Sequence, residues 1–161
     1  MHCRTTKELK MYTAAILNPV SAGLLRWIVK AHGLENKGFS FKTPQNTEVP
    51  HHMTINLGPI DVNLNDEEIL EKPALLHVDQ IVWSHEIGAC AARVVKAEVE
   101  MRKFPAIYWE TIDTINAHKH ITICLKNGVK PFLSNKLFES DSEIIQLDEV
   151  YKLDAVVDVC A

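Results

Sequence analysis

The sequence has few cysteines, no excess of positive charge and no long apolar run, and each absence removes a class of protein. Its 161 residues hold four cysteines without a CxxC pair, which argues against a disulfide scaffold or a common zinc site. The net charge is −4 and no Lys or Arg cluster stands out, so duplex DNA is not an expected partner. No apolar run reaches the roughly 18 residues of a membrane-spanning helix.

These features predict one globular domain spanning residues 1–161. The scattered cysteines, Cys3, Cys90, Cys124 and Cys160, favour free thiols in a reducing compartment, and hence a soluble cytoplasmic protein. A monomer is favoured over an oligomer. The chain also lacks GxGxxG, GxxxxGK[ST] and GxSxG, which argues against a dinucleotide fold, a P-loop and a hydrolase nucleophile elbow.

Strand-like and helix-like segments alternate along the chain. Residues 11–17 are apolar and suit a buried strand, and Asn18-Pro19 then predicts the start of a helix that ends at Gly33. A β-rich stretch is predicted over residues 75–101 and a short helix over 131–139. One or two closing strands are predicted over 143–159. Gly88 is the clearest break in the β-rich stretch.

One four-residue pattern occurs twice: His52-Met53-Thr54-Ile55 and His120-Ile121-Thr122-Ile123. Both copies lie in strand-like runs, so each His and Thr share a face about 6.6 Å apart along the backbone. Two such pairs, facing each other, would present two imidazoles and two hydroxyls to one small anion. Those groups suffice to hold or cleave a phosphodiester without a metal, because histidine populates both protonation states near neutrality.

At these residues the chain resembles the 2H phosphoesterase superfamily, which is named for its two His-x-Thr/Ser-x motifs. The superfamily includes RNA 2′,3′-cyclic phosphodiesterases, 2′-5′ RNA ligase-like proteins, cyclic phosphodiesterase domains of tRNA ligases and phage enzymes that cleave cyclic-nucleotide signals. The motifs lie 68 residues apart, as that fold allows. The run from Gly128 to Leu137 is similar to the tRNA-ligase branch.

The resemblance implies an α+β fold with two lobes, in which two antiparallel sheets form a central cleft and helices lie outside. One departure is that the long helix usual before the second motif is short or missing here. The resemblance also implies that His52 and His120 act as general acid and base, without assigning which is which, and that Thr54 and Thr122 bind the phosphate oxygens.

The implied activity is metal-independent hydrolysis of a nucleotide or RNA-end phosphodiester. The substrate would be a 2′,3′-cyclic phosphate or a cyclic or 2′-5′-linked oligonucleotide. Three alternatives stay open: a phage enzyme that destroys cyclic oligonucleotide signals, a module that binds a nucleotide without turnover, and a structural domain with two accidental motifs.

Four further residues are candidates for substrate binding. Tyr12 and Trp83 could stack on a base, although either could instead be a core aromatic, a role that is favoured for Trp83. Lys126 could attract phosphate or be a solvated turn lysine, and Ser134 could contact substrate or begin a helix. His118 and His120 could pair with His51 or His52 around a metal, but no carboxylate or cysteine completes such a site. No metal or cofactor is therefore predicted.

Overall fold

The computed structural model describes residues 12–56, 69–103 and 105–160. Its strands are β1 (Tyr12–Leu17), β2 (Phe39–Ser40), β3 (His52–Asn56), β4 (Pro73–Ser84), β5 (Ala89–Lys103), β6 (Ala106–Thr111), β7 (His120–Lys126) and β8 (Glu143–Cys160). The helices in these ranges are α1 (Pro19–Ala31) and two 3₁₀ helices, Leu34–Lys37 and Pro131–Glu139. The predicted first strand, first helix, 131–139 helix and closing strand are confirmed.

Local chemistry fixes the bounds of α1. The side chain of Asn18 accepts a hydrogen bond of 2.8 Å from the backbone N–H of Ser21, which satisfies a donor that no helical carbonyl can reach. Pro19 supplies a suitable φ at the first helical position. Gly33, at φ 71°, then turns the chain out of the helix as only glycine does cheaply.

The strands join into one sheet in the order β2-β7-β3-β1-β8-β4-β5-β6, and β7 pairs with β5 as well. The pairings therefore close into a ring of six strands, β7-β3-β1-β8-β4-β5. Each pairing in this ring is antiparallel. The protein is thus sheet-rich, with few helices in the described ranges, and a division into two sheets around a cleft stays a prediction.

The main core lies on one face of these strands, where α1 packs through Leu25, Ile28 and Val29. A smaller cluster lies on the other face, beneath the second 3₁₀ helix. It consists of Val82, Ala89, Ala91, Leu125 and Leu137. The 3₁₀ helix Pro131–Glu139 therefore covers part of the face that lies away from the main core, and we call it the cover helix.

Gly88 links the β4–β5 turn to the segment before the cover helix. Its φ is +77°, and a Cβ here would lie 2.9 Å from Cγ2 of Val129. The carbonyl of Gly88 also accepts a hydrogen bond of 2.9 Å from the N–H of Lys126. A side chain at this position would push the cover helix away from the sheet, so the predicted break has a packing role as well.

The cysteines depart in part from the prediction of free thiols. Cys90 and Cys124 are free and fully buried, and they are directly paired across β5 and β7. Cys160 is disulfide-bonded, so the prediction is wrong for that residue. The cytoplasmic compartment thereby loses part of its support and stays a prediction.

Within the described ranges no helix combines the length and apolar character that crossing a bilayer requires.

Candidate functional site

The two motif strands are neighbours in the sheet. β3 and β7 run antiparallel, with Met53 paired to Ile121, and both of these side chains are fully buried in the main core. Because side chains alternate along a strand, the flanking motif residues point to the other face. The four side chains on that shared face, the motif face, are His52, Thr54, His120 and Thr122.

The register of this pairing sets their arrangement. In an antiparallel pair centred on Met53 and Ile121, His52 lies alongside Thr122 and Thr54 lies alongside His120. Directly opposed side chains in such a pair are about 5 Å apart. The imidazoles therefore occupy one diagonal of a small quadrilateral and the hydroxyls occupy the other.

The electrostatics of the site keep both rings neutral near pH 7. Burial lowers the pKa of His52 to about 3, with further lowering by the charges of His51 and His120. Burial also lowers the pKa of His120, although its hydrogen bond to the His118 carbonyl opposes the shift. A phosphodiester anion bound between the rings would supply the missing negative charge and raise both pKa values.

The ring nitrogens have different partners in the two motifs. Nδ1 of His120 lies 2.8 Å from the carbonyl oxygen of His118. A carbonyl only accepts, so Nδ1 carries the proton and Nε2 of the neutral ring is the proton acceptor. Nδ1 of His52 instead lies 2.9 Å from Nδ1 of His51, and one imidazole donates to the other. The first motif therefore contains a histidine pair.

The cover helix supplies two contacts to the second motif. The fully buried Ser134 has its Oγ 2.9 Å from Oγ1 of Thr122. The ring of Phe138 lies 5.4 Å, centroid to centroid, from the rings of both His118 and His120. Ser134 thus contacts the motif hydroxyl from within the helix rather than at its start.

Tyr12 lies beside the first motif. β1 pairs with β3, with Ile16 opposite His52 and Ala14 opposite Thr54, and Tyr12 packs with these two β1 residues in one cluster. Its ring centroid is 5.1 Å from that of His52, and burial raises the pKa of its phenol. The structure therefore brings this candidate to the motif face.

Trp83 and Lys126 lie on the opposite face. Trp83 packs against the main core and meets Phe39 edge to face at 6.0 Å. Nζ of Lys126 lies 5.6 Å from the Phe39 ring centroid and contacts His85. The β5–β7 register shifts between Cys90 and Ala91, and the resulting bulge reverses the alternation along β7. The structure does not bring these two candidates to the four motif side chains.

Three neighbours of the site are not indicated by any sequence motif. His51 and His118 each precede a motif strand and contact the motif histidine through a ring nitrogen or a carbonyl. Phe138 reaches the site from the cover helix. The doubled His51-His52 and the His118-x-His120 spacing were the available signals, and in the sequence they were weighed only as a metal site that no carboxylate or cysteine completes. Among the residues that the structure describes, no group of three or more His, Cys, Asp or Glu side chains is placed to hold a metal ion.

Comparison with known protein families assigns the chain to one of them. A search of the curated proteins found no match. The profile of the fungal tRNA ligase phosphodiesterase domain matches residues 40–154, which is more than half of the chain and includes both motifs and the cover helix. The matched range begins after β1 and α1, so the position of Tyr12 lies outside it. With two His-x-Thr pairs on adjacent strands and this match, the chain belongs to the fungal tRNA ligase phosphodiesterase domain family, a 2H phosphoesterase-family domain.

Proposed function

We propose that the protein hydrolyses a phosphodiester at an RNA end, with a 2′,3′-cyclic phosphate as the substrate, through acid–base catalysis by His52 and His120. The observation that carries this proposal is the antiparallel pairing of β3 and β7 around Met53 and Ile121. It supports a site in which two imidazoles and two hydroxyls surround one anion. Family membership supports phosphodiesterase activity.

The chemistry divides between the two kinds of side chain. One imidazole accepts a proton at Nε2 from the attacking water, and the other donates a proton to the leaving ribose oxygen. The hydroxyls of Thr54 and Thr122 donate hydrogen bonds to the non-bridging oxygens, where negative charge must be stabilised in the transition state. These steps need no metal ion, so we expect the activity to persist in EDTA.

The roles of the two histidines follow from their Nδ1 partners. The His118 carbonyl, an acceptor, stabilises the protonated form of His120. His52 faces the charges of His51 and His120, which favour its neutral form. We therefore assign His52 as the base and His120 as the acid for hydrolysis, once the substrate anion is bound.

The substrate class rests on the family description. The matched domain is named as a phosphodiesterase of tRNA ligase, and a tRNA ligase joins RNA ends. Such a substrate fits a chain of net charge −4 better than a long duplex does, because a terminal cyclic phosphate needs a local site rather than a broad basic surface.

The test is an assay of purified protein with EDTA present on three substrates. These are an RNA oligomer ending in a 2′,3′-cyclic phosphate, a 2′,3′-cyclic mononucleotide and a cyclic dinucleotide. We expect turnover of the first two, and a loss of about 10²–10⁴-fold in rate for His52→Ala and His120→Ala. Cleavage of the cyclic dinucleotide alone would indicate signal degradation, and tight binding without turnover would indicate a binding module. Either result contradicts the proposal.

A further inference from the structure

The two catalytic motifs differ in the group that contacts Nδ1 of each motif histidine. Nδ1 of His120 lies 2.8 Å from the backbone carbonyl oxygen of His118. This oxygen can accept a hydrogen bond, but it does not take up a proton. Nδ1 of His52 lies 2.9 Å from Nδ1 of His51, and an imidazole nitrogen can either donate or accept a hydrogen bond. The first motif therefore has a titratable group where the second has a fixed one.

His51 is held where it can exchange a proton with His52. It immediately precedes β3, outside the regular alternation of that strand, and its carbonyl accepts a hydrogen bond of 3.0 Å from the N–H of Leu17. Its ring meets the His52 ring nearly edge on, at 82° and 5.1 Å between centroids. Both rings are half-buried, so water competes weakly for the bond between them.

A positive charge is unfavourable on His52 itself. The titratable groups around it include His51 before β3, His120 on β7 and Tyr12 on β1, and none of these is an anion at neutral pH. Asp158 on β8 lies opposite Ala14 of β1, so it is two strands away from β3. When His52 accepts a proton during catalysis, the imidazolium would therefore form in a half-buried site next to the other catalytic ring.

We propose that His51 and His52 form a proton relay, an inference that rests on the proposed function. As the O–H bond of the attacking water breaks, its proton bonds to Nε2 of His52. At the same time the Nδ1–H bond of His52 breaks and that proton bonds to Nδ1 of His51. The hydroxide oxygen attacks phosphorus, and the positive charge rests on His51. As the new P–O bond forms, the bond from phosphorus to the ribose oxygen breaks, and that oxygen takes its proton from His120. After product release, the Nδ1 proton of His51 returns to Nδ1 of His52 while the Nε2 proton of His52 passes to water, and His120 takes up a proton from water.

The relay requires one starting arrangement. His52 donates from Nδ1, and neutral His51 carries its own proton on Nε2 so that its Nδ1 lone pair accepts. Burial is the main cause of the lowered pKa of His51. The transfer therefore moves the charge away from the ring pair that contacts the substrate, and leaves His120 free to act as the acid.

Replacing His51 by asparagine tests the relay. The amide of His51→Asn can hydrogen-bond to Nδ1 of His52 but cannot take up a proton. We expect kcat on a 2′,3′-cyclic mononucleotide to fall about tenfold or more, as part of a general-base contribution, with KM within about twofold of wild type. The matched control is His32→Asn at the end of α1, where the ring bonds to the Ile28 carbonyl, and it should retain wild-type kcat.

The outcomes separate the relay from the function. If wild type turns over and His51→Asn is equally fast, His51 only positions His52 and the relay is refuted. If wild type turns over none of the substrates, the proposed function fails instead. A second readout needs no activity: histidine side-chain ¹⁵N spectra of the wild-type protein during acidification. The relay predicts that the imidazolium signature appears on His51 before His52, and the opposite order would overturn it.

Discussion

Oγ of Ser134 lies 2.9 Å from Oγ1 of Thr122, and it is the contact that joins the cover helix to the second motif. Ser134 is fully buried, so its hydroxyl has no competing solvent. If Ser134 donates to Thr122, the Thr122 hydroxyl keeps its own proton free to donate to a phosphate oxygen. In the proposed reaction, Ser134 would therefore orient a group that contacts the substrate.

Ser134→Ala should lower kcat while KM changes little, because Thr122 loses the partner that fixes its hydroxyl. We expect a loss of about 0.5–1.5 kcal/mol in the free energy of unfolding, as for one hydrogen bond. Ser21→Ala is the matched control, since its buried hydroxyl accepts a bond of 2.9 Å from the Asp154 N–H away from the motifs. Steady-state kinetics and urea unfolding of both variants measure the effects. Equal kcat values in the two variants would contradict a role for Ser134 in orientation.

The two motif threonines should matter more than Ser134. Thr54→Val and Thr122→Val keep the branched shape that suits a strand and remove only the hydroxyl. If each hydroxyl stabilises the transition state, each variant loses about 10²–10³-fold in kcat. Thr114→Val, which removes a hydroxyl bonded to the Asn116 carbonyl in a loop, provides the comparison. A loss confined to KM would mean that the hydroxyls bind the ground state and transition state equally.

The stability of the protein should fall on mild acidification because of His52. Its folded pKa of about 3 lies below the usual value near 6.5 that it recovers on unfolding. Below about pH 6.5 the unfolded chain therefore binds more protons, and stability is lost progressively as the pH falls towards 3. From about pH 7.5 to about pH 5, His52 alone should remove about 2 kcal/mol.

Urea unfolding of wild type and His52→Gln at these two pH values measures the contribution. The variant should lose about 2 kcal/mol less than wild type over the same interval, because glutamine does not titrate. His120 shifts in the same direction and remains in both proteins, so it cancels in the comparison. An equal loss in both would show that His52 titrates normally in the folded protein.

The sequence predicted the features that depend on local pattern. Asn18 and Pro19 marked the start of α1, and alternation along β3 and β7 placed each His and its Thr on one face, because both effects act over a few residues. The bulge at Cys90 and Ala91 arises only when β5 and β7 pair, and it moves Lys126 to the opposite face from the one that carries His120. Alternation alone could not reveal this.

Contacts between distant segments also could not be predicted from the sequence. Phe138 reaches His120 because the cover helix folds back over the sheet. The position of the cover helix depends on Gly88, because this residue lies close to Val129, just before the helix begins. Similarly, Tyr12 and Trp83 are both strand aromatics, and nothing in the sequence indicates which face of the finished sheet each one occupies. Pairing with neighbouring strands decides that, and one neighbour of both β1 and β4 is β8, from the other end of the chain.

Tyr12 and Trp83 should therefore respond differently to substitution. The Tyr12 ring lies 5.1 Å from His52, so Tyr12→Ala should raise KM for a cyclic mononucleotide about tenfold if the ring stacks on the base, a contribution of about 1–3 kcal/mol. Tyr12→Phe keeps the ring and should behave as wild type. Trp83→Phe should lower the melting temperature without changing KM, because Trp83 packs with Phe39 on the main-core face. A raised KM in Trp83→Phe, or an unchanged KM in Tyr12→Ala, would mean that the nucleobase lies on a different surface from the one beside the first motif.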